Sequence, residues 1–262
     1  MQGIYKRYSD FVESYGMDES WIDMSACCSS WEAGEELADE LREVVKSELG
    51  LTLSIGVSFN KTFAKLGSDM KKPDAVTVLS RENWKSRIWP LAVSELIFVG
   101  NRTARKLMDR GVFTIGDLAR VEPEYLLSWF GKNGAGLWAA ANGQEHARIM
   151  PIDFVSPVKS VGHGITCSRD LENEEEVWRV ILELSQDVGH RLRHHQLSAI
   201  GVRLCVRGHD LKTAIYQRKI SYPTQSPLEV AQAARILFQE RYLWENKVRS
   251  LSVAGYDLVP RD

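Results

Sequence analysis

Two adjacent carboxylates, Asp18 and Glu19, are the residues of this chain whose types and spacing are best suited to chemistry. Hard oxygen ligands close together are what Mg²⁺ needs when it must also hold the phosphates of a nucleotide. The pair follows Gly16 and precedes a β-prone run that contains Trp21 and Ile22. Because neighbouring side chains of a regular strand point to opposite faces, both carboxylates can reach one metal cluster only at a turn or an irregular strand start. The alternative is an exposed acidic pair at a strand edge.

The elements that must position this pair alternate between helix and strand. Apolar residues recur at helical spacing in two segments, one stopped by Gly50 and the other by Pro73. The predicted elements are, in order, helix 31–49, strand 51–58, helix 60–72 and strand 75–79. Together with the β-prone run after Glu19, this order predicts an α/β layer.

The rest of the chain divides into a helical region and a mixed region. Residues 93–148 have a wholly helical pattern in which glycines separate short segments. Residues 150–157 contain two prolines and no periodicity, which predicts a linker. The last third predicts the order β-α-β-β-α-β, with strands near 160–167, 198–207, 212–221 and 248–258 and helices near 174–195 and 226–242. The sequence therefore predicts an α+β multidomain protein.

Composition excludes several classes of protein. The chain has 262 residues, of which 44% are hydrophobic and 26% charged, as in an ordinary globular protein. Its net charge of −2 does not by itself predict binding to nucleic acid. The four cysteines lack Cys-x-x-Cys spacing, which argues against a zinc site or a disulfide framework. No apolar run approaches the roughly 20 residues of a membrane span, and the N-terminus lacks a signal peptide's apolar core, so we expect a cytoplasmic protein without membrane contact.

A second candidate site lies at the start of a predicted helix in the helical region. Gly100 would let a phosphate approach the backbone closely. The free N–H groups of the residues that follow, Asn101, Arg102 and Thr103, and the helix dipole favour an anion there. The whole segment 95–119 resembles a helix-hairpin-helix, a motif that holds the DNA backbone without reading its sequence. The alternative is a plain helical hairpin packed into a core.

Several segments resemble the Y-family of translesion DNA polymerases, most closely its DNA polymerase IV-like branch. The strongest is Ser54 to Asp74, which reads SIGVSFNKTFAKLGSDMKKPD, and the others are 12–23, 95–119 and 158–170. All of them follow the family order. The resemblance implies a partial α/β palm domain over 1–91, a small all-α helix-hairpin-helix thumb over 92–149, a linker over 150–157 and a β-α-β-β-α-β little-finger domain over 158–262.

The resemblance also implies a role for each candidate residue. Asp18 and Glu19 would be catalytic ligands of two Mg²⁺ ions, and Lys72 would contact the triphosphate of the incoming nucleotide, where an ammonium offsets charge that builds up during transfer. Two groups of residues would hold the DNA backbone, Gly100, Asn101, Arg102 and Thr103 in the thumb and Lys159, Ser160, Thr166 and Arg169 in the little finger. Lys61 and Lys65 have the alternative interpretation of solvated charges. Where the family pattern has a glycine, this chain has Phe98.

The implied function is Mg²⁺-dependent, template-directed DNA synthesis past damaged bases in DNA repair. Its partners would be primer-template DNA and a deoxynucleoside triphosphate, with a sliding clamp as a further partner of the family, and the chain would be a monomer. The resemblance does not extend to the first palm strand or the fingers of the family, so we expect a truncated polymerase with one side of the metal site. The alternatives are a non-catalytic DNA-binding remnant and a partner-binding domain without DNA affinity.

Overall fold

The computed structural model describes residues 1–261, which form two compact units, one over Met1–Phe154 and one from Val155 onward. The boundary falls inside the segment 150–157 that the sequence predicts as a linker. Asp262, the last residue of the predicted domain 158–262, lies outside the described residues. Within the described part of the chain, no helix is both long enough and apolar enough to cross a membrane.

The first unit begins with the short elements that carry the candidate active site. They are α1 (Gln2–Tyr5), β1 (Val12–Tyr15), β2 (Glu19–Ile22), α2 (Trp31–Leu49), β3 (Ile55–Ser58), α3 (Lys61–Met70), β4 (Val76–Leu79) and α4 (Trp84–Ile88). The side chain of Asn60 accepts a hydrogen bond from the N–H of Phe63 and so caps the start of α3. This helix ends at Met70 rather than at Lys72 as predicted, because the backbone is already extended at Lys71, two residues before Pro73.

The strands of this unit form two separate two-stranded sheets. β1 and β2 are an antiparallel hairpin in which Tyr15 lies opposite Glu19. β3 and β4 are parallel, with Ile55 opposite Val76. The prediction of one α/β layer that includes the run after Glu19 is therefore wrong in one respect, because within residues 1–261 no ladder of hydrogen bonds joins β2 to β3.

Helix α3 packs onto strand β3 through direct contact between their backbones. A Cβ atom at Gly56 would lie 1.9 Å from the carbonyl oxygen of Ala64, and one at Gly67 would lie 3.1 Å from the Cα of Gly56. Only glycine permits two main chains to approach so closely. The position of α3 on the strand is therefore set by main-chain contact.

Short helices make up the remainder of this unit, as the glycine-punctuated pattern predicts. They are a 3-10 helix (Val93–Glu95), α5 (Asn101–Met108), α6 (Ile115–Arg120), α7 (Pro123–Phe130) and α8 (Lys132–Ala141). One apolar core contains Phe63 and Leu79 together with Leu118 and Ala141. Residues on both sides of position 91 share this core, and the division into domains 1–91 and 92–149 stays a prediction.

The second unit is a four-stranded antiparallel sheet covered by two helices. Its elements are β5 (Ser160–Leu171), α9 (Glu174–His194), β6 (Leu197–Gly208), β7 (Thr213–Thr224), α10 (Pro227–Arg241) and β8 (Val248–Pro260), in the order that the sequence predicts. The strands lie in the order β5-β8-β6-β7. The buried core joins α9 and α10 to one face of the sheet, with Ile181, Leu204, Leu237 and Val253 among its residues. Neither helix of this unit covers the opposite face, which is called the open face below.

Candidate active site and nucleic-acid interface

Asp18 and Glu19 lie at the turn of the β1-β2 hairpin. Gly16 adopts a φ of 75°, which is favourable for glycine, and Glu19 is the first residue of β2, opposite Tyr15. Asp18 is exposed, and Glu19 is partly exposed. The pair therefore sits at a turn and a strand start, the arrangement that two successive carboxylates need to serve one metal cluster.

Lys61, at the start of α3, holds this hairpin in place. Its ammonium lies 2.6 Å from the carboxylate of Glu13 and 5.1 Å from the ring centre of Trp21. Trp21 in turn donates its indole N–H to the carbonyl of Lys61 at 3.0 Å, and the N–H of Met150 donates to Glu13 at 2.9 Å. Burial alone would raise the pKa of Glu13, but the hydrogen bonds from Lys61 and Met150 outweigh it and lower the pKa below its ordinary value.

A chain of alternating charges leads from Glu19 towards Lys72. Lys65 Nζ lies 3.1 Å from Glu19 Oε1 and 2.6 Å from Asp69 Oδ2, and Asp69 Oδ1 lies 2.7 Å from Lys72 Nζ. Burial tends to lower the pKa of Lys65, yet its hydrogen bonds to the two carboxylates leave the pKa raised. The side chains of Lys61 and Lys65 are only 12% and 18% exposed, so the interpretation of both as solvated charges is wrong.

One cavity of about 1340 Å³ in the first unit is lined by Glu19, Lys61, Lys65 and Lys72. The cavity brings Asp18 and Glu19 together with Lys72, and it adds Arg81, which sequence reasoning missed. The roles assigned to Asp18, Glu19 and Lys72 stay predictions. The guanidinium of Arg81 lies 4.4 Å from the ring centre of Phe59. No sequence signal marks this arginine, because its contact depends on how the loop after β4 packs.

The donor set fits Mg²⁺ in type and supplies part of a coordination shell. Carboxylate oxygens are preferred Mg²⁺ ligands, and this ion takes about six ligands, several of them from water and substrate phosphates. Among residues 1–261, no group of three or more histidine, cysteine, aspartate or glutamate side chains is placed to hold a metal. Asp18 and Glu19 therefore offer two ligands, and Glu19 shares its carboxylate with Lys65.

The predicted phosphate contact at Gly100 lies at the start of α5. Gly100 is extended, and a Cβ atom built on it would meet nothing within 4 Å. Asn101 and Arg102 are exposed and Thr103 is partly buried. Phe98 has a φ of 71° and leaves 74% of its surface exposed. This is the left-handed conformation that glycine adopts readily, so Phe98 is a large residue at a position whose backbone favours glycine.

The open face of the second unit carries two of the four predicted residues, Ser160 and Thr166. Ser160 and Thr166 lie opposite Tyr256 and Ser250 of β8. Lys159 precedes the strand and is exposed. Arg169 lies in the irregular stretch after Thr166, where its guanidinium pairs with Glu176 at 2.5 Å, and this hydrogen bond raises its pKa.

Sequence reasoning missed the arginines in the middle of this face. Arg203 and Arg207 alternate along β6 with the buried residues Val202, Leu204 and Val206 and therefore point away from the helices. Arg207 lies opposite Ser250 of β8, the residue that also faces Thr166. The period-two alternation in the sequence is the signal that could have identified both arginines.

Comparison with known proteins assigns the chain to a class. A sequence model of the impB/mucB/samB family matches residues 1–69, and one of the C-terminal domain of that family matches residues 158–262. DNA polymerase IV of Acetivibrio thermocellus is 44% identical over 99% of the chain, and DNA polymerase IV 1 of Bacillus subtilis is 35% identical over 99% of it. The chain spans 65% and 62% of the length of these two relatives.

Solved structures share the fold. A Y-family DNA polymerase chimera of Dbh and Dpo4 superimposes with a TM-score of 0.82 at 20% identity, covering 99% of this chain and 74% of its own. DinB from Sulfolobus solfataricus gives a TM-score of 0.53 at 19% identity, covering 100% and 75%. The mixed α+β fold is that of Y-family polymerases. The chain belongs to this family, among relatives named DNA polymerase IV.

Proposed function

We propose that this chain acts in template-directed DNA synthesis as a DNA-directed DNA polymerase. The observation that carries the proposal is that Asp18 and Glu19 line the same cavity as Lys65 and Lys72. Such a cavity combines oxygen ligands for a metal with ammonium groups for a triphosphate. The relatives named DNA polymerase IV support this reaction, and translesion synthesis is the role within the family that we propose for it.

Each residue would have a separate task in this reaction. Asp18 and Glu19 would hold Mg²⁺, which supplies charge stabilisation for the transferred phosphoryl group and lowers the pKa of the attacking hydroxyl. Lys72 would bind the triphosphate, and its partner Asp69 would keep its ammonium near Lys65. Loss of Lys72 would weaken nucleotide use by about 1–3 kcal/mol and leave DNA affinity intact.

Two groups of residues would bind the phosphate backbone of the DNA. Gly100, Asn101, Arg102 and Thr103 would contact phosphates at the start of α5, in a thumb over 92–149. Lys159, Ser160, Thr166 and Arg169 would contact the template from a little-finger domain over 158–262, with 150–157 as the linker and 1–91 as the palm. The exposed backbone at Gly100 and the polar open face of the sheet support this assignment.

A second candidate is a DNA-binding protein without catalysis. It is favoured by the limited donor set, since the described residues offer no third carboxylate, histidine or cysteine beside Asp18 and Glu19. A two-metal displacement needs ligands that bridge both ions. In this case the two groups of residues that bind the DNA backbone would act without catalysis.

Primer extension with the purified chain and Mg²⁺ separates the two candidates. The polymerase proposal expects extension that is lost in Asp18→Ala and in Glu19→Ala. Glu36→Ala is the matched control, because Glu36 is an exposed carboxylate on α2, away from the cavity. Extension unchanged in Asp18→Ala would overturn the site assignment. Salt-sensitive binding of primer-template DNA without extension would select the second candidate.

A further inference from the structure

Three sulfur side chains lie in the segment that connects β2 to α2. The chain has six methionines and four cysteines, and Met24, Cys27 and Cys28 fall close together in the sequence. The N–H groups of Cys27 and Cys28 both donate to the carbonyl oxygen of Met24, at 2.9 and 3.0 Å. One turn of backbone, called the sulfur turn below, therefore holds two thiols and a thioether near one another.

Packing does not account for these three sulfurs, since none of them belongs to an apolar core of the described residues. Other sulfur side chains do, because Met70 packs against a core of the first unit and Cys167 against that of the second. Cys27 is exposed, whereas Met24 and Cys28 are partly buried and line the cavity of the first unit. The sulfur turn is therefore accessible to a ligand.

The two thiols of the sulfur turn are close enough to interact electrostatically. Burial raises the pKa of the Cys28 thiol, and a negative charge on Cys27 raises it further. The Sγ atom of Cys27 lies 3.7 Å from the carbonyl oxygen of Tyr8, a residue that also lines the cavity. Neither cysteine forms a disulfide. Both sulfurs can therefore act as ligands.

Sulfur ligands determine the class of ion that fits this turn. Thiolates and thioethers are soft donors that select soft cations such as Cu(I), whereas Mg²⁺ and Ca²⁺ prefer oxygen ligands. Zn²⁺ prefers a tetrahedral set of nitrogen, sulfur and oxygen ligands. Among residues 1–261, no group of three or more histidine, cysteine, aspartate or glutamate side chains could supply such a set. A site of two thiols and a thioether therefore favours Cu(I) over Zn²⁺.

We propose that Met24, Cys27 and Cys28 bind one Cu(I) ion, with two thiolates and a thioether as its ligands. Each thiol that binds the ion releases its proton to solvent, so the ion replaces two protons and no electron is transferred. The thiol of Cys27 must leave the carbonyl oxygen of Tyr8, which costs only a weak hydrogen bond. The inference goes beyond the proposed function, because ion binding requires neither nucleotide nor DNA.

The sulfur turn and the carboxylate pair Asp18 and Glu19 lie at opposite ends of β2. Glu19 is the first residue of this strand and Ile22 is the last, so about 10 Å of strand separates the two sites. The carboxylates are hard oxygen ligands that suit Mg²⁺, and the sulfurs are soft ligands that suit Cu(I). The two ions therefore do not compete for the same side chains.

The test is anaerobic titration of the reduced full chain with Cu(I) in competition with a chromogenic Cu(I) chelator. We expect the chain to take up one equivalent of Cu(I) from the chelator. The double variant Cys27→Ser, Cys28→Ser loses this uptake, and Met24→Leu weakens it by about tenfold or more, as changes at metal sites commonly do. The matched control is Cys167→Ser, Cys205→Ser, which removes two thiols of the second unit and binds Cu(I) like the parent.

Alkylation of the parent chain provides a second measurement that does not depend on how the variants fold. Bound Cu(I) protects Cys27 and Cys28 from iodoacetamide, and mass spectrometry of the digested chain shows Cys167 and Cys205 alkylated as before. No uptake by the parent chain, uptake that persists in Cys27→Ser, Cys28→Ser, or equal protection of all four cysteines would overturn the proposal. Neither measurement involves DNA synthesis, so a chain that fails to extend primers still decides the outcome.

Discussion

The ammonium of Lys65 lies 3.1 Å from the carboxylate of Glu19, so a predicted metal ligand already has a cationic partner within the protein. Lys65 is held there by Asp69 on the same helix, at 2.6 Å. A metal ion that binds Asp18 and Glu19 must share Glu19 with this lysine or displace it. The pairing therefore tunes how strongly the hairpin turn attracts a cation.

Replacing Lys65 by methionine tests this competition. We expect Lys65→Met to bind Mg²⁺ more tightly than the parent chain by up to about fivefold, the range of a partly exposed ion pair. Titration calorimetry of the chain with Mg²⁺ measures the change. Lys132→Met, which removes an exposed lysine outside the cavity, should bind Mg²⁺ like the parent. Weaker binding in Lys65→Met would contradict the competition.

Glu13 links the stability of the fold to pH. Its pKa is lowered in the folded chain, so ionised Glu13 stabilises the fold above its unfolded pKa, and this stabilisation is lost as the pH falls through the folded pKa. We expect Glu13→Gln to lower the free energy of unfolding by about 1–3 kcal/mol at neutral pH and by less in acid. Urea denaturation at several pH values measures both. A constant difference at every pH, or an equal loss in Glu36→Gln, would refute this role.

Phe98 holds a strained backbone conformation for little gain in burial. With its φ of 71° and 74% of its surface exposed, it has the geometry of a glycine position. We expect Phe98→Gly to raise the free energy of unfolding by about 0.5–1 kcal/mol, since relief of strain exceeds the added entropy of the unfolded chain. Phe98→Ala, which keeps a Cβ atom, should show no such gain. Urea denaturation compares the two variants, and a less stable Phe98→Gly would disprove the strain.

The arginines of the open sheet face offer a test of DNA binding. We expect Arg203→Ala and Arg207→Ala to weaken binding of duplex DNA and to reduce the slope of log K against log salt by about 0.9 for each phosphate that the variant no longer neutralises. Arg179→Ala is the control, because Arg179 is an exposed arginine on helix α9. Fluorescence anisotropy at several salt concentrations gives the slopes. Equal losses of affinity in all three variants would indicate a general charge effect.

The sequence predicted most of the local structure because local signals determine it. Gly50 ends α2 with a φ of 66°, and Ser30 and Asn60 cap α2 and α3 through their side chains. The resemblance selected Asp18, Glu19 and Lys72, which line one cavity and whose roles stay predictions. These features depend on neighbours in the chain or on a motif that remains intact.

Periodicity in the sequence does not predict contacts between residues that are far apart in the chain. Glu13 and Lys61 are 48 positions apart, and the sequence around neither residue indicates that the two form an ion pair. The separation of β2 from β3 depends on which edges pair, a choice that alternation along a single strand does not encode. Arg203 and Arg207 become part of one face only when the register of β6 against β8 is known.

The contact of α3 with β3 through Gly56 and Gly67 has a consequence for how this site can change. The helix that presents Lys61 and Lys65 is seated by main-chain atoms, so its placement does not depend on the identity of those lysines. At Lys65 the charge can be exchanged, reversed or removed while the helix keeps its position on β3. Sequence change at this position can therefore alter the electrostatics of the cavity without moving its frame, whereas a change at Lys61 also removes a contact that holds the β1-β2 hairpin.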